Sequence, residues 1–285
     1  MFKNDLLKKK RILITGGGTG IGKNIGRRYL ELGAELIICG RRREKLQETK
    51  EDLEHETGGK VTIHQCDVRD PDAVETMMSD IWSERPLDIL VNNAAGNFIA
   101  PTQKLSHRAI DSILGIVLHG SAYCAVACGS RWIDAKHKGV ILSILTTSAL
   151  YGAPFQVPSA MAKAGVASMT RSLAVEWGPK GIRSVAIAPG PFPTLGAGSR
   201  LRPDDLDKFP YENDIPLRRI GNHSELADLA AYLVCDQAEY INGEVVVIDG
   251  GKSLQGMNGA AVREMQEWDD EKWASIREKT RGQYA

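Results

Sequence analysis

No run in this 285-residue chain approaches the roughly 20 consecutive apolar residues of a membrane span. The opening Met-Phe-Lys-Asn-Asp contains no apolar signal core. Both absences lead to the expectation of a cytoplasmic protein without membrane insertion. Neither charge is in excess, since Lys plus Arg total 36 and Asp plus Glu total 36. Such balance gives no reason to expect nucleic acid or an anionic membrane as the main partner. Cysteine is sparse: Cys39, Cys66, Cys124, Cys128 and Cys235 are odd in number, scattered, and mostly set in apolar segments. That pattern argues for buried free thiols rather than a disulfide framework. Cys124 and Cys128 stand one helical turn apart but lack partners at zinc-site spacing, so no metal is expected. Asn222-His-Ser224 fits a glycosylation sequon and is read as a turn. No linker, repeat or composition break divides the chain, which leads to the expectation of one domain over 1–285.

What is present is an alternation. Short apolar runs at 11–15, 35–39, 60–65, 89–92, 139–145, 182–188 and 244–248 read as strands. Helix-period segments lie between them, at 22–32, 43–57, 71–84, 106–134, 157–177 and 224–235. The strands are continuous rather than alternating in polarity, as in a parallel sheet covered on both faces. The expected fold is a Rossmann-type, doubly wound α/β sheet of about seven strands. Residues 191–216, rich in Pro, Gly and charge, read as a loop able to close over a substrate. Residues 254–285 form a polar tail with an expected helix over 269–279, able to pack on a neighbouring subunit or cover the site.

Three strand ends carry binding chemistry. The first strand runs into Thr15-Gly-Gly-Gly-Thr-Gly-Ile-Gly22, followed by a helix. Glycines there let the backbone approach a pyrophosphate, and the helix N-terminus supplies amide donors. The spacing from Gly17 to Lys23 also fits a P-loop, but Asn24 stands where magnesium requires Ser or Thr. The third strand ends in Cys66-Asp67-Val68, where a carboxylate can meet an adenine amine, and the fourth in Asn92-Asn93-Ala94-Ala95-Gly96, where small residues let the chain pass beneath a cofactor. Their order matches the rule that open α/β sheets bind ligands at strand C-termini. At the end of the second strand, an NAD site wants an acidic residue for the ribose 2′-hydroxyl. This chain has Cys39-Gly40-Arg41-Arg42-Arg43 there. Arginine offers planar charged donors to a 2′-phosphate, so NADPH is expected, with Arg41 first and Arg42 second as its partners.

The pattern T-G-x-x-x-G-x-G, the N-N-A-A-G run, Lys163 on the helix after the fifth strand and Pro189-Gly190 after the sixth resemble the short-chain dehydrogenase/reductase family over nearly the whole chain. Asn92 to Phe98, Pro101-Thr102, Ala174-Val-Glu-Trp-Gly178, Ala188-Pro-Gly-Pro191 and the tail around Glu271-Lys-Trp273 and Arg277 to Gly282 look like its 2,4-dienoyl-CoA reductase branch. The resemblance implies cofactor contacts at Gly16, Gly18, Thr19, Gly20, Ile21, Gly22, Asn93, Ala94, Ala95, Gly96, Asp67, Val68, Pro189 and Gly190, and a homotetramer. It implies conjugate hydride delivery from NADPH to a dienoyl thioester, giving a 3-enoyl-CoA. By the same resemblance, Asn97 orients the thioester oxygen and Lys163 holds the nicotinamide ribose.

The family's tyrosine is missing. In most members it stands four residues before the lysine, where this chain has Ser159. In many members of the branch it stands fifteen before, where this chain has Ser148. Tyr151, twelve residues before Lys163, either reaches the site through a shortened loop or faces solvent. Thr147, Ser148 and Ser159 offer hydroxyls that are poor acids but adequate donors. An acidic substitute one turn after the lysine is also absent, since that position is Ala167. His119 stands where the family has a helix asparagine in its proton relay, and is either a relay group or a plain helix histidine. Arg200, Arg202, Arg218 and Arg219 are candidates for the phosphates of coenzyme A. The expectation is an NADPH-dependent reductase of unsaturated acyl-CoA thioesters. Two alternatives stay open: a reductase of another carbonyl or enoyl substrate using Tyr151, and a catalytically weak NADPH-binding protein.

Overall fold

The first strand, β1 (Arg11–Thr15), carries three apolar residues between Arg11 and Thr15 and is buried on both faces. In the computed structural model, which describes residues 2–194 and 211–283, it lies centrally in a parallel seven-stranded sheet. The others are β2 (Glu35–Gly40), β3 (Val61–Gln65), β4 (Ile89–Asn92), β5 (Gly139–Ile144), β6 (Ile182–Pro189) and β7 (Val245–Ile248). The spatial order is β3-β2-β1-β4-β5-β6-β7. The chain therefore reverses its direction of travel between β1 and β4, where Ile14 lies beside Val91. This is a Rossmann-type doubly wound fold, as the alternation implied, and its strand ends differ from the expected ones by at most a residue.

Successive residues of a strand point to opposite faces, so one strand feeds two cores. Ile12 and Ile14 pack with Ile25 and Tyr29 of α1 (Gly20–Glu31), Leu46 of α2 (Arg43–Thr57) and Leu226 of the helix His223–Val234. Leu13 packs on the other side with Met78 of α3 (Pro71–Glu84) and with Cys124 and Trp132. All five cysteines are buried free thiols.

The segment expected as one helix over 106–134 is α4 (His107–Leu114), a π-helical turn (Gly115–His119) and α5 (Gly120–Asp134). The turn lies beside the loop after β4, where Ile116 comes 3.3 Å from a Cβ placed on Gly96. His107–Asp134 as a whole is long and apolar enough to cross a membrane, which corrects the reading that no stretch approaches such a span. Residues 112–130 carry no Asp, Glu, Lys or Arg, and their Gly, Ala and Cys raise the mean hydropathy. Those small residues instead let the helix close on its neighbours: a Cβ on Gly120 would stand 2.6 Å from Val68. A short helix unforeseen from the sequence, α6 (Ser148–Tyr151), precedes α7 (Val157–Trp177). After α8 (His223–Val234), the tail holds α9 (Gly259–Gln266), also unforeseen, and α10 (Asp270–Gln283). Asn222, of the sequon, is the N-cap of α8: its N–H donates to Glu225 at 2.8 Å. Of the expected loop over 191–216, residues 195–210 lie outside the described residues, and Arg200 and Arg202 with them.

Trp132 anchors the second core. It is fully buried, donates from Nε1 to Leu87 O at 2.5 Å and stands edge-on to Trp82 at 6.3 Å. We expect Trp132→Ala to cost about 3–5 kcal/mol, the usual loss for a large aromatic core truncation. Equilibrium urea unfolding measures this, and a loss under about 1 kcal/mol would contradict the packing described.

Candidate active site

The glycine loop is held from three sides. Gly16 N donates to Cys39 O at the end of β2 (2.8 Å), and Thr49 Oγ1 of α2 donates to Gly18 O (2.7 Å). The third tie is to the loop after β4. Thr15 Oγ1 accepts from Asn93 N and Ala94 N, both at 3.0 Å, while Asn93 Nδ2 donates to Thr15 O at 2.9 Å and Gly16 O at 3.2 Å. Glycine is required by this closeness. Gly16 has φ +65° and a Cβ there would lie 2.9 Å from Ala94 Cα, while one on Gly22 would lie 2.5 Å from Asn93 Nδ2. The α1 N-terminus has no side-chain cap at Thr19 and no acidic residue in its first turn. The N–H groups of Gly20, Ile21 and Gly22 thus remain available to a pyrophosphate, with the positive end of the helix behind them. Thr194 Cγ2 comes 3.2 Å from a Cβ placed on Gly20, so the chain leaving Pro189 and Gly190 returns over the glycine loop. These residues fit a dinucleotide.

Arg41, Arg42 and Arg43 are exposed where β2 gives way to α2, and Gln65 Nε2 donates to Arg41 O. Asp67 is engaged by Arg69, whose Nε donates to both carboxylate oxygens at 3.0 Å. This hydrogen bonding chiefly holds the Asp67 carboxyl below its ordinary range, and the charge of Arg41 adds to the effect. Arg41 and Asp67 therefore face one region, and Val68 is buried behind them under α5.

On the other side of the sheet's switch point, α7 places Ser159 and Lys163 one turn apart on its buried face. Lys163 is only 7% exposed, and its Nζ donates to Ile144 O at the end of β5. Burial pushes its ammonium down to about 8. Asn97, in the loop after β4, is half-buried and donates from Nδ2 to Gln156 Oε1 at 2.7 Å. Thr147 N donates to Pro189 O at 3.2 Å, and Ser148 Oγ lies 3.5 Å from Thr146 Oγ1. Tyr151 ends α6 with 63% of its surface exposed. His119 is exposed at the end of the π turn, its ring 6.1 Å from that of Tyr123. Of the arginines considered for coenzyme A, Arg218 is bonded to Glu267 (2.9 Å) and Arg219 to both oxygens of Glu225 (2.7 and 2.8 Å). Both guanidiniums already hold carboxylates.

Sequence reasoning missed Thr15 and Gln156. Thr15 was legible as the first residue of the glycine motif, but its bonds to Asn93 and Ala94 are long-range contacts. Gln156 belongs to no spacing pattern.

The family described as Enoyl-(Acyl carrier protein) reductase matches residues 16–253. A Bacillus subtilis protein, named as a probable 2,4-dienoyl-CoA reductase producing (2E)-enoyl-CoA, is 43% identical over 250 residues, 87% of this chain and 98% of its own. A Caenorhabditis elegans protein, named as a probable 2,4-dienoyl-CoA reductase producing (3E)-enoyl-CoA, is 38% identical over 288 residues, 99% of this chain and 93% of its own. The crystal structure of a short chain dehydrogenase from Bacillus anthracis is similar with a TM-score of 0.78 at 42% identity, covering 87% of this chain and 98% of that one.

Gly22→Ala is expected to abolish nicotinamide-dinucleotide binding in a folded protein, because the added methyl displaces the Asn93 amide that shapes the loop. Fluorescence titration checks it, and native affinity would refute it. A second expectation concerns Lys163, whose native value near 8 lies below its ordinary 10.5. Between those values the unfolded chain binds more protons than the native one, so native stability rises with pH across that window. Lys163→Met removes this component. Its stability relative to the native protein is therefore greater at pH 7 than at pH 10.5, by at most about 3 kcal/mol. Urea unfolding of both proteins at the two pH values measures it, and a constant difference would show that the amine is not buried.

Proposed function

The chain belongs to the short-chain dehydrogenase/reductase family, whose members are oxidoreductases with a nicotinamide cofactor, and we propose that it is an NADPH-dependent reductase of 2,4-dienoyl-CoA thioesters. The observation that carries this reading is a positioned amide without a positioned phenol. Asn97 is anchored by Gln156, while Tyr151 is 63% exposed. Reduction of an isolated carbonyl generates an alkoxide, which demands an acid held at the oxygen. A dienolate spreads its charge over the thioester and needs mainly a donor there, its proton arriving later on carbon. The names of two relatives support the same substrate class.

The chain's residues divide the work as follows. Arg41 and Arg42 take the 2′-phosphate, and no carboxylate stands at the end of β2 to repel it. The loop from Gly16 to Gly22 cradles the pyrophosphate. Asp67 and Val68 border the adenine, and Asn93 to Gly96 with Pro189 and Gly190 form the floor and wall. Lys163 holds the nicotinamide ribose, its ammonium anchored on Ile144 O. A bound nicotinamide would supply a hydride, to C5 of the diene, and negative charge would then move onto the thioester oxygen. Asn97 Nδ2 donates to that oxygen. Thr147 and Ser159 contribute hydroxyl donors, and solvent delivers the proton. A proton placed on C2 gives the 3-enoyl product, and one placed on C4 gives the 2-enoyl product.

The test is NADPH oxidation with a medium-chain 2,4-dienoyl-CoA, with product analysis. We expect turnover to the 3-enoyl thioester and a loss of about 10²–10³-fold in kcat for Asn97→Ala, the usual worth of one oxyanion donor. Tyr151→Phe should cost less than about tenfold, below the usual contribution of a general acid. A greater loss would favour the reductase of another carbonyl that uses Tyr151. Equal use of NADH, or an unchanged cofactor preference in Arg41→Ala, would overturn the NADPH assignment. Tight NADPH binding without turnover on dienoyl-, enoyl- or ketoacyl-CoA would overturn the substrate assignment.

A further inference from the structure

Gln156 is the N-cap of α7 and stands outside every motif in the sequence. Its contact with Asn97 has a defined polarity. The backbone N–H of Phe98 donates to Asn97 Oδ1 at 2.9 Å. An N–H can only donate, so the amide oxygen of Asn97 lies on that side and its NH2 on the other. Gln156 must then present oxygen, and Oε1 accepts from Asn97 Nδ2 at 2.7 Å. Among the described residues, one N–H of Asn97 is consumed and one is left. The Phe98 bond also polarises the Asn97 amide, which strengthens the N–H that remains.

The backbone around Gln156 is built to deliver it. Phe155 has φ +63° and is 58% exposed, an unfavourable conformation for a bulky residue and one met where a neighbouring position is held for function. Its carbonyl accepts from Ala100 N at 2.9 Å. One backbone bond and one side-chain bond thus strap the turn before α7 to the loop after β4.

We infer that Gln156 is the positioning residue for Asn97: it fixes the side-chain amide so that its second N–H points at the thioester oxygen. The inference rests on the role proposed above for Asn97. Gln156 compensates for the absent tyrosine by making a single donor rigid rather than by supplying a second acid. A donor fixed before the reaction costs no reorganisation when charge develops, whereas a rotating one does.

Two substitutions test it. Gln156→Met keeps the length of the side chain and removes the acceptor. It should lower kcat by about tenfold or more while the Kd for NADPH and the unfolding midpoint stay near native, since misplacement of a reacting group costs rate. Gln156→Glu keeps the acceptor but sets a negative charge beside the developing oxyanion. Its kcat should be depressed at high pH and recover as the carboxyl protonates, giving a pH limb that the native enzyme lacks. Gln156→Met on an Asn97→Ala background should cost nothing further, because the two act as a unit. Native kcat in Gln156→Met, or a native pH profile in Gln156→Glu, would overturn the inference. Full activity in Asn97→Ala would instead sink the reading on which it rests, so the two failures are distinguishable.

Discussion

The hydrogen bonds between Thr15 and the Asn93-Ala94 segment join the ends of β1 and β4 at the place where the sheet changes direction. Successive helices leave for opposite faces here, so the strand ends diverge and a crevice must open between them. A crevice lined by loops would be soft. Thr15 Oγ1 and the Asn93 amide make it rigid by turning each loop into the hydrogen-bond partner of the other. The glycines follow from that constraint, since the loops approach too closely for a Cβ at Gly16 or Gly22. The uncapped N–H groups of α1 are then presented at the end of the sheet.

The same rigidity organises the ends of β5 and β6 through different elements. Lys163 reaches the sheet through Ile144 O and Thr147 through Pro189 O, so β5 and β6 both serve as fixed points. Burial makes the lysine costly, because an ammonium loses its hydration and, among the described residues, no carboxylate replaces it. A chain selected for stability alone would place an apolar residue there. Keeping the amine at this position sacrifices stability for a cation at the end of β5.

Much of the architecture was legible because β-rich runs and helix-period segments differ in period, and parallel strands buried on both faces leave continuous apolar runs. The strand-end motifs were legible because Gly, Asn and Asp there have few structural reasons to recur in that order. The break in the long helix was not. Residues 106–134 keep a helical period throughout, and the π turn at Gly115–His119 costs one register step that the pattern absorbs. The same stretch shows how composition misleads, since a charge-free run rich in small residues serves equally for a bilayer and for tight packing under Val68. Arg218 and Arg219, candidates for the phosphates of coenzyme A by sequence, pair with Glu267 and Glu225, one of them in the distant tail.

By itself the sequence determined the layered sheet, the glycine loop, the absence of a carboxylate after β2 and the absence of the usual tyrosine, because each is a property of residue type and local spacing. Tertiary structure alone decided that Tyr151 faces outward, that Lys163 is stripped of water, and that Asn97 is gripped by a glutamine 59 positions away. Those are matters of distance between segments remote in the chain, and the 3.6- and 2-residue periods of local structure hold no information about which remote side chains meet.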